Sequence, residues 1–260
     1  MSGGAHGPAL TGPAGDPASP VHRLDPRAKL LGFVAITCTA VSAPLGGWPV
    51  YAGCALALVA LAAAARVPAH TIWRRARAAL LLVLFAAVFV PFVDRGGHEV
   101  AVGPLMLSAA GLAVLGTVAA KATIGTVSAV LLGATTSYPA VLRALESLRV
   151  PQAITVIAAF SYRYLFVLAD EAARMRAALA ARGYRPRTAL GAAATGRLAG
   201  SLFLRAHARG ERVYLAMAAR GYAGSMPEPE PPAFRRADAA FLAVLVAALL
   251  ALRVGVEVAG

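Results

Sequence analysis

The segment Val50–Ala65, VYAGCALALVALAAAA, carries no charged side chain along its whole length. A helix that is apolar on all sides belongs in a large core or in a membrane. A backbone that crosses the bilayer must satisfy its own hydrogen bonds over about 30 Å of hydrocarbon, which requires about 20 mainly apolar residues. The chain is 59% hydrophobic and 14% charged. We therefore predict membrane-spanning helices rather than a soluble helical domain.

Similar apolar segments recur along the chain and predict an all-α, polytopic membrane helical bundle of about five to six spans. Pro104–Thr136 is longer than one crossing needs but short for two, so we expect one crossing followed by an interfacial or kinked continuation, with Lys121 reaching toward the interface. Gln152–Ala169 is a possible sixth span, but Arg163 near its middle favours a helix along the membrane or on the inner face of the bundle. The other predicted spans are Leu30–Ala43, Val50–Ala65, Ala78–Val93 and Ala237–Val254.

The positive charge is distributed unevenly along the chain, whose net charge is +13. The connection from Arg66 to Arg77 contains arginines and no acidic residue, whereas the connection from Asp94 to Gly103 is nearly neutral. Basic connections of membrane proteins remain in the cytoplasm. The region between Ala140 and Arg236 is the richest in arginine, so we expect it to lie on the cytoplasmic side of the inner or plasma membrane. This account of the charge requires no nucleic-acid partner.

Composition divides the chain into four parts. The Gly-, Pro- and Ala-rich start lacks the basic-then-apolar order of a cleaved signal and is predicted to be a disordered tail. A Pro- and Glu-rich loop, which breaks helices, precedes the last span. The predicted parts are the tail 1–21, transmembrane spans one to four in 22–139, a cytoplasmic region with two long helices in 140–226, and the Pro-rich loop with the final span in 227–260.

One pentapeptide occurs twice in the basic region, as Ala180-Ala-Arg-Gly-Tyr184 and as Ala218-Ala-Arg-Gly-Tyr222. Gly183 and Gly221 suit left-handed caps at the ends of two helices, and Pro186 prevents the first helix from resuming soon. An arginine at a helix C-terminus interacts favourably with the helix dipole and can bind a carboxylate of another protein in a bidentate manner. The alternative is a pair of ordinary glycine-capped helices whose arginines reach into water.

Charge spacing supports both helices. In the first, Asp170 and Glu171 precede Arg174 by four and three residues, which is typical of a surface helix. In the second, a third Ala-Arg-Gly triplet, Ala208–Gly210, falls within a basic stripe at i, i+4 and i+7, which consists of Arg205, Arg209 and Arg212. The apolar contacts expected from the same helix are Leu202, Ala206, Val213 and Met217.

The segment Arg205-Ala-His-Ala-Arg-Gly-Glu-Arg-Val-Tyr-Leu-Ala-Met-Ala-Ala-Arg-Gly-Tyr-Ala-Gly224 resembles the signature of the transmembrane T components of energy-coupling factor (ECF) importers. It is closest to the cobalt/nickel branch, the CbiQ family. Similar stretches are His22–Lys29, the region from Thr135 to Pro151, and Tyr162-Arg-Tyr164 with the acidic pair that follows it. The resemblance extends over roughly residues 22–224.

This resemblance implies a subunit that transmits the motion of two ABC-type ATPase subunits to a separate substrate-binding membrane (S) subunit. Cobalt or nickel is the implied substrate. ATP binding would close the ATPase pair, move two coupling helices together and reorient the S subunit. The triplet Ala208–Gly210 does not match a coupling tip. The implied ATPase-coupling tips are Ala181, Arg182 and Gly183 in the first helix, and Ala219, Arg220 and Gly221 in the second.

No motif for catalysis or for a bound cofactor is evident. The chain lacks a glycine-rich P-loop ending in Lys-Ser/Thr and a Gly-x-Ser-x-Gly elbow. No two of the histidines have the spacing of metal ligands, and Cys38 and Cys54 lie in apolar segments as expected for packing residues. We therefore expect a non-catalytic subunit with no cofactor and no metal site of its own.

Three alternatives remain at this stage. The first is a T component of a vitamin-type ECF importer. The second is a membrane-embedded lipid or isoprenoid enzyme, for which only Asp170-Glu171 offers an acidic pair near the interface. The third is a self-contained secondary carrier, which would need polar sites at the membrane midplane and usually two similar halves. Expression of the chain alone separates these, because a carrier alone should transport and a T component alone should not.

Overall fold

The structure is a computed structural model that describes residues 19–88, 99–102, 105–184, 189–222 and 234–259. The predicted disordered tail comprises residues 1–21. Its residues 1–18 lie outside the described ranges, and Ser19 is the N-cap of the first helix. In chain order the helices and strands are α1 Pro20–Arg23, α2 Pro26–Ser42, α3 Trp48–Ala64, α4 Ala69–Val88, β1 Glu99–Val102, β2 Leu105–Ser108, α5 Ala109–Thr135, α6 Tyr138–Ser147, α7 Gln152–Ala181, α8 Ala189–Ala218 and α9 Arg236–Ala259.

The predicted class, an all-α membrane helical bundle, is confirmed, with one small addition. Strands β1 and β2 form an antiparallel hairpin in which Val102 pairs with Leu105. This hairpin replaces the beginning of the span that was predicted over Pro104–Thr136. The sequence signal for it is the Gly103-Pro104 dipeptide, because Gly and Pro together mark turns.

The chain separates into two compact units, unit 1 with residues 1–144 and 232–260, and unit 2 with residues 145–231. In unit 1, α5 packs against α2, α3 and α4, and α9 packs against α2 and α3. Glycines permit the close approach of α9, since a Cβ on Gly32 would lie 3.0 Å from Leu245 Cδ2 and a Cβ on Gly53 would overlap Leu252. Small residues at helix crossings serve this purpose in membrane bundles. The buried core includes Ile36, Val50, Cys54, Leu58, Ile124, Leu131 and Leu249.

Among the described residues, three helical segments are long and apolar enough to cross a membrane: Ala113–Thr135, Gln152–Ala181 and Arg236–Val256. Helix α3 is a shorter apolar helix. The first, second and last predicted spans coincide with α2, α3 and α9 to within a few residues. The number of spans stays a prediction.

Helix α4 corrects the prediction for the third span. It begins at Ala69, so that Arg74, Arg75 and Arg77 lie within the helix rather than in a connection before it. Arginine is a good helix former, and no glycine or proline lies between Ala69 and Arg77 to interrupt the helix. The end of the predicted span, residues 89–93, lies outside the described residues.

Helix α5 corrects the prediction for the fourth span, since it is one uninterrupted helix of 27 residues. The Lys121 side chain, which was predicted to reach toward an interface, extends to the end of a neighbouring helix; its position relative to the membrane stays a prediction. Its Nζ donates to the carbonyl oxygens of Val41 at 2.8 Å and Ala43 at 2.9 Å, at the C-terminal end of α2. The last carbonyls of a helix lack partners within the helix, and a lysine can supply them.

Lys29 makes the reciprocal contact at the other end of the same helix pair. Its Nζ, in the first turn of α2, donates to the carbonyl oxygens of Thr135 at 3.1 Å, at the end of α5, and of His22 at 3.2 Å, in α1. The Lys29 side chain is buried. Helices α2 and α5 therefore each cap the C-terminal end of the other with a lysine.

Two buried carboxylates, those of Asp25 and Asp238, accept backbone N–H groups at the N-terminal ends of helices. Asp25 is the N-cap of α2 and accepts the backbone N–H of Arg27 at 2.8 Å. The N–H of Asp25 in turn donates to Asp238 Oδ1 at 2.8 Å, and Asp238 Oδ2 accepts the N–H of Arg235 at 2.9 Å. Carboxylates are favourable at helix N-termini, where N–H groups are unpaired and the dipole is positive. Asp238 therefore fastens the N-terminal ends of α2 and α9 together.

Candidate functional site

Unit 2 is built around two helices of equal length. Helices α7 and α8 each contain 30 residues and pack against each other. Glu171 connects them, because its Oε2 accepts from Arg174 of the same helix at 2.6 Å and its Oε1 accepts from Arg205 of α8 at 2.7 Å. The predicted i,i+3 pair is present in this structure, and Asp170 is exposed.

The contact between Glu171 and Arg205 was not predicted from the sequence. The spacing rule for helices concerns residues three or four apart, whereas these two lie 34 residues apart. The sequence nevertheless indicated that Glu171 could pair with an arginine of α8, because few acidic residues precede this arginine-rich helix. Sequence alone gave no reason to prefer Arg205 over its basic neighbours.

The two helices end in the same hydrogen-bonded motif. At the end of α7, the Gly183 N–H donates to the Ala180 carbonyl at 3.0 Å and the Tyr184 N–H to the Leu179 carbonyl at 3.2 Å. At the end of α8 the corresponding bonds join Gly221 to Ala218 and Tyr222 to Met217, both at 3.0 Å. This pair of bonds is the Schellman motif, in which the residue after the helix adopts a left-handed conformation.

Glycine makes this conformation possible at both positions. Gly183 has φ +76° and Gly221 has φ +85°, values that cost a residue with a Cβ about 1 to 2 kcal/mol. The chain therefore turns away sharply after each helix, directly behind Arg182 and Arg220. The repeated pentapeptide encodes one geometry twice.

Arg182 and Arg220 are exposed, and within the part of the chain that the structure describes neither forms an ion pair. The third Ala-Arg-Gly triplet differs, because Gly210 lies inside α8 and has an ordinary helical conformation. Three identical triplets thus occupy two kinds of position. The six residues of the predicted tips, Ala181 to Gly183 and Ala219 to Gly221, occupy helix ends.

The basic stripe of α8 faces α7. Arg205, Arg209 and Arg212 line a cavity of about 370 Å³ together with Leu168 and Glu171. The predicted apolar contacts of α8, namely Leu202, Ala206, Val213 and Met217, are half-buried. A second cavity of about 390 Å³, also between these helices, has Arg182 and Arg197 at its border. Positive charge is therefore concentrated along the contact between these two helices.

Within the described ranges, no three His, Cys, Asp or Glu side chains are grouped closely enough to hold a metal ion. Cys54 is buried in the core of unit 1 and Cys38 is exposed, and both are free thiols.

Comparison with known proteins assigns most of the chain to one family. The family model CbiQ, described as cobalt transport protein, matches residues 17–231. A protein of Methanocorpusculum labreanum, provisionally named fused cobalt transport protein CbiMQ, is 26% identical over 223 residues, which are 82% of this chain and 36% of that protein.

Two further relatives are similar over shorter parts. A protein of Bifidobacterium longum, provisionally named ABC transporter ATP-binding protein, is 30% identical over 196 residues, 70% of this chain and 25% of that protein. An uncharacterized protein of Methanocaldococcus jannaschii is 32% identical over 130 residues, 48% of this chain and 44% of that protein. The chain spans less than half the length of each of these relatives.

Proposed function

The chain belongs to the CbiQ family of cobalt transport proteins, and from this premise we propose that it is the transmembrane coupling (T) subunit of an ATP-driven ECF importer. In this role it transmits the motion of ATPase subunits to a separate membrane subunit that binds the substrate. The observation that carries the proposal is the pair of equal helices with identical ends, each exposing one arginine that lacks an ion-pair partner among the described residues.

Two identical ends suit a pair of identical or similar partners. A guanidinium group binds a carboxylate with two parallel hydrogen bonds, so that Arg182 and Arg220 can each enter an acidic groove on one ABC-type ATPase subunit. The Schellman turn ends each helix directly behind its arginine, which leaves the guanidinium group at the tip exposed. Similarity to a relative named as an ABC transporter ATP-binding protein supports an ATPase partner.

The transport step follows from rigid helices. ATP binding closes the ATPase pair and moves the two tips together. Because the ion pair between Glu171 and Arg205 joins α7 and α8, a displacement of one tip is transmitted to the other helix. We propose that this motion reorients the S subunit in the bilayer and releases the substrate inward.

Cobalt is the proposed substrate, with nickel next, because the family is described by cobalt transport and one relative bears that name. The fused relative contains a second segment beyond the part that matches this chain, which supports an S-type partner here. The chain itself is proposed to be non-catalytic, multi-pass in the cell membrane, and oriented with α7 and α8 toward the cytoplasm.

The test replaces the tip arginines and keeps a matched control. The variant Arg182→Ala/Arg220→Ala is expected to lose the ATPase on affinity purification from native membranes and to lose cobalt uptake. Each buried charge pair contributes about 2 kcal/mol or more to binding, roughly a thirtyfold change in affinity. Arg209→Ala removes the arginine of the mid-helix triplet and is expected to retain both properties.

Uptake also separates the remaining alternatives. Uptake of a vitamin instead of cobalt would identify a vitamin-type importer and leave the coupling role intact. Normal assembly and uptake in the double variant would refute the coupling role of the tips. Transport or lipid conversion by the chain alone would refute the proposal as a whole.

A further inference from the structure

A groove of about 450 Å³ opens on the surface of unit 1 between α3, α4 and α5. Its walls are apolar, and the hydroxyl group among them, that of Thr123, already donates to the Ala119 carbonyl of its own helix at 2.7 Å. The Thr123 hydroxyl therefore has no proton left to donate to an occupant of the groove. Its larger lining residues are Leu58, Val59, Ile72, Trp73, Ile124 and Val127.

One edge of the groove is basic. On α4 the lining residues follow the spacing of one helix face from Ala69 to Leu80. His70, Arg74 and Arg77 follow at i, i+4 and i+7 along the side of this face that carries Trp73. Arg74 and Arg77 are exposed, and in the described ranges neither forms an ion pair. The first turn of α4 contains no acidic residue.

The length of the groove matches one leaflet of a bilayer. From Ala69 to Leu80 the axis of α4 rises about 16 Å, and half of a hydrocarbon core is about 15 Å. Measured along the helix axis from Ala69, Arg74 lies about 8 Å and Arg77 about 12 Å into this length, and an arginine side chain is long enough to reach back toward the headgroups. Trp73 lies about 6 Å from Ala69 on the same scale and is 66% exposed, and indole rings are enriched near the level of lipid headgroups.

We propose that this groove is a binding site for one anionic phospholipid, with an acyl chain between α3, α4 and α5 and the phosphate at Arg74 and Arg77. The positive charge of the edge favours this occupant, because an anionic lipid has a net negative charge that offsets the arginines, whereas a zwitterionic lipid is neutral overall and an apolar helix carries no charge. A juxtamembrane arginine contributes about fivefold to affinity for an anionic lipid. This inference is independent of the proposed coupling function, since it concerns unit 1 alone.

The two tryptophans of the chain permit a direct test. In the full chain with Trp48→Phe, Trp73 is the sole indole. This protein is reconstituted into phosphatidylcholine vesicles that contain a small, equal fraction of either brominated phosphatidylglycerol or brominated phosphatidylcholine. Bromine quenches an indole only at close range. We expect the anionic lipid to quench Trp73 several-fold more efficiently than the zwitterionic one.

Charge variants then assign the preference to this edge. Arg74→Gln/Arg77→Gln is expected to lower the preference about fivefold for each arginine removed. Arg143→Gln/Arg149→Gln removes two exposed arginines outside the groove and is expected to leave it unchanged. Ala55→Phe adds a ring at an exposed wall of the groove and should reduce quenching by both lipids.

Several results would overturn the proposal. Equal quenching by the two lipids would show that the surface is ordinary lipid-facing surface. If the preference for the anionic lipid survived Arg74→Gln/Arg77→Gln, or fell equally in the Arg143→Gln/Arg149→Gln control, the headgroup would not bind at this edge. Weak quenching by either lipid would indicate that a protein segment, such as a second copy of the chain, fills the groove instead.

Discussion

Units 1 and 2 use their charged side chains in opposite ways. In unit 1, Lys29 and Lys121 donate to carbonyls at helix C-termini, and Asp25 and Asp238 accept backbone N–H groups at helix N-termini. In unit 2 the charged groups are mainly exposed arginines, and the tip arginines have no ion-pair partner among the described residues. The first pattern maintains a fold, and the second is open to binding. The charged groups of unit 1 that cap helix ends should therefore affect stability, and the arginines at the tips of unit 2 should affect assembly.

The largest stability effect is expected for Asp238→Ala. Its carboxylate accepts two backbone N–H groups from two helix ends, and hydrogen bonds to a charged group contribute about 1.5 to 3 kcal/mol each. We expect the free energy of unfolding in detergent to fall by about 3 to 5 kcal/mol, measured by thermal or denaturant melting.

Asp170→Ala is the matched control for this substitution. Asp170 is an exposed aspartate of unit 2, and its replacement should leave the melting curve nearly unchanged. If both variants lost the same stability, the division between the units would be wrong. If Asp238→Ala also lost the ATPase while remaining folded, its role would extend beyond the fold.

The lysines sharpen the comparison within unit 1. Lys29→Met leaves two carbonyls without a donor in a buried setting, and we expect a loss of about 2 kcal/mol. Lys121 is only half-buried, so water or lipid headgroups can reach the carbonyls that Lys121→Met exposes, and we expect about 1 kcal/mol. Melting of the two single variants in the same detergent measures the order, and the reverse order would contradict the role of burial.

The helix ends of unit 2 were predictable from sequence because their cause is local. Gly183 and Gly221 fix the end of a helix through their own backbone conformation, and the residues that accept the capping bonds lie within five positions. The apolar helices α2, α3 and α9 were predictable for the same reason, since composition over about 20 residues decides them.

The charged contacts of unit 1 were not predictable because their cause is distant. Asp25 and Asp238 are 213 residues apart, and Lys29 and Thr135 are 106 apart. No spacing rule connects such pairs before the helices are packed. For the same reason, the sequence did not predict that Lys121 would donate to the carbonyls at the end of α2.

The smallest expected effects on stability come from replacing glycines of unit 2 with alanine, and they have opposite signs at the helix tips and inside α8. Gly183→Ala and Gly221→Ala place a Cβ at positive φ and should each destabilise the helix end by about 1 kcal/mol. Gly210→Ala, inside α8 with open space around it, should stabilise by about 0.5 to 1 kcal/mol. Thermal melting measures both, and equal signs would mean that the three glycines are equivalent.

The same three variants connect the helix ends to assembly. An alanine at either tip alters the turn behind Arg182 or Arg220 and should weaken retention of the ATPase, although both arginines are present. Gly210→Ala should retain the ATPase fully. Loss of the ATPase at the tips without a change at Gly210 would show that geometry, and not arginine content alone, makes a helix end competent to bind. Full retention in all three would mean that the Schellman turn serves only to end a helix.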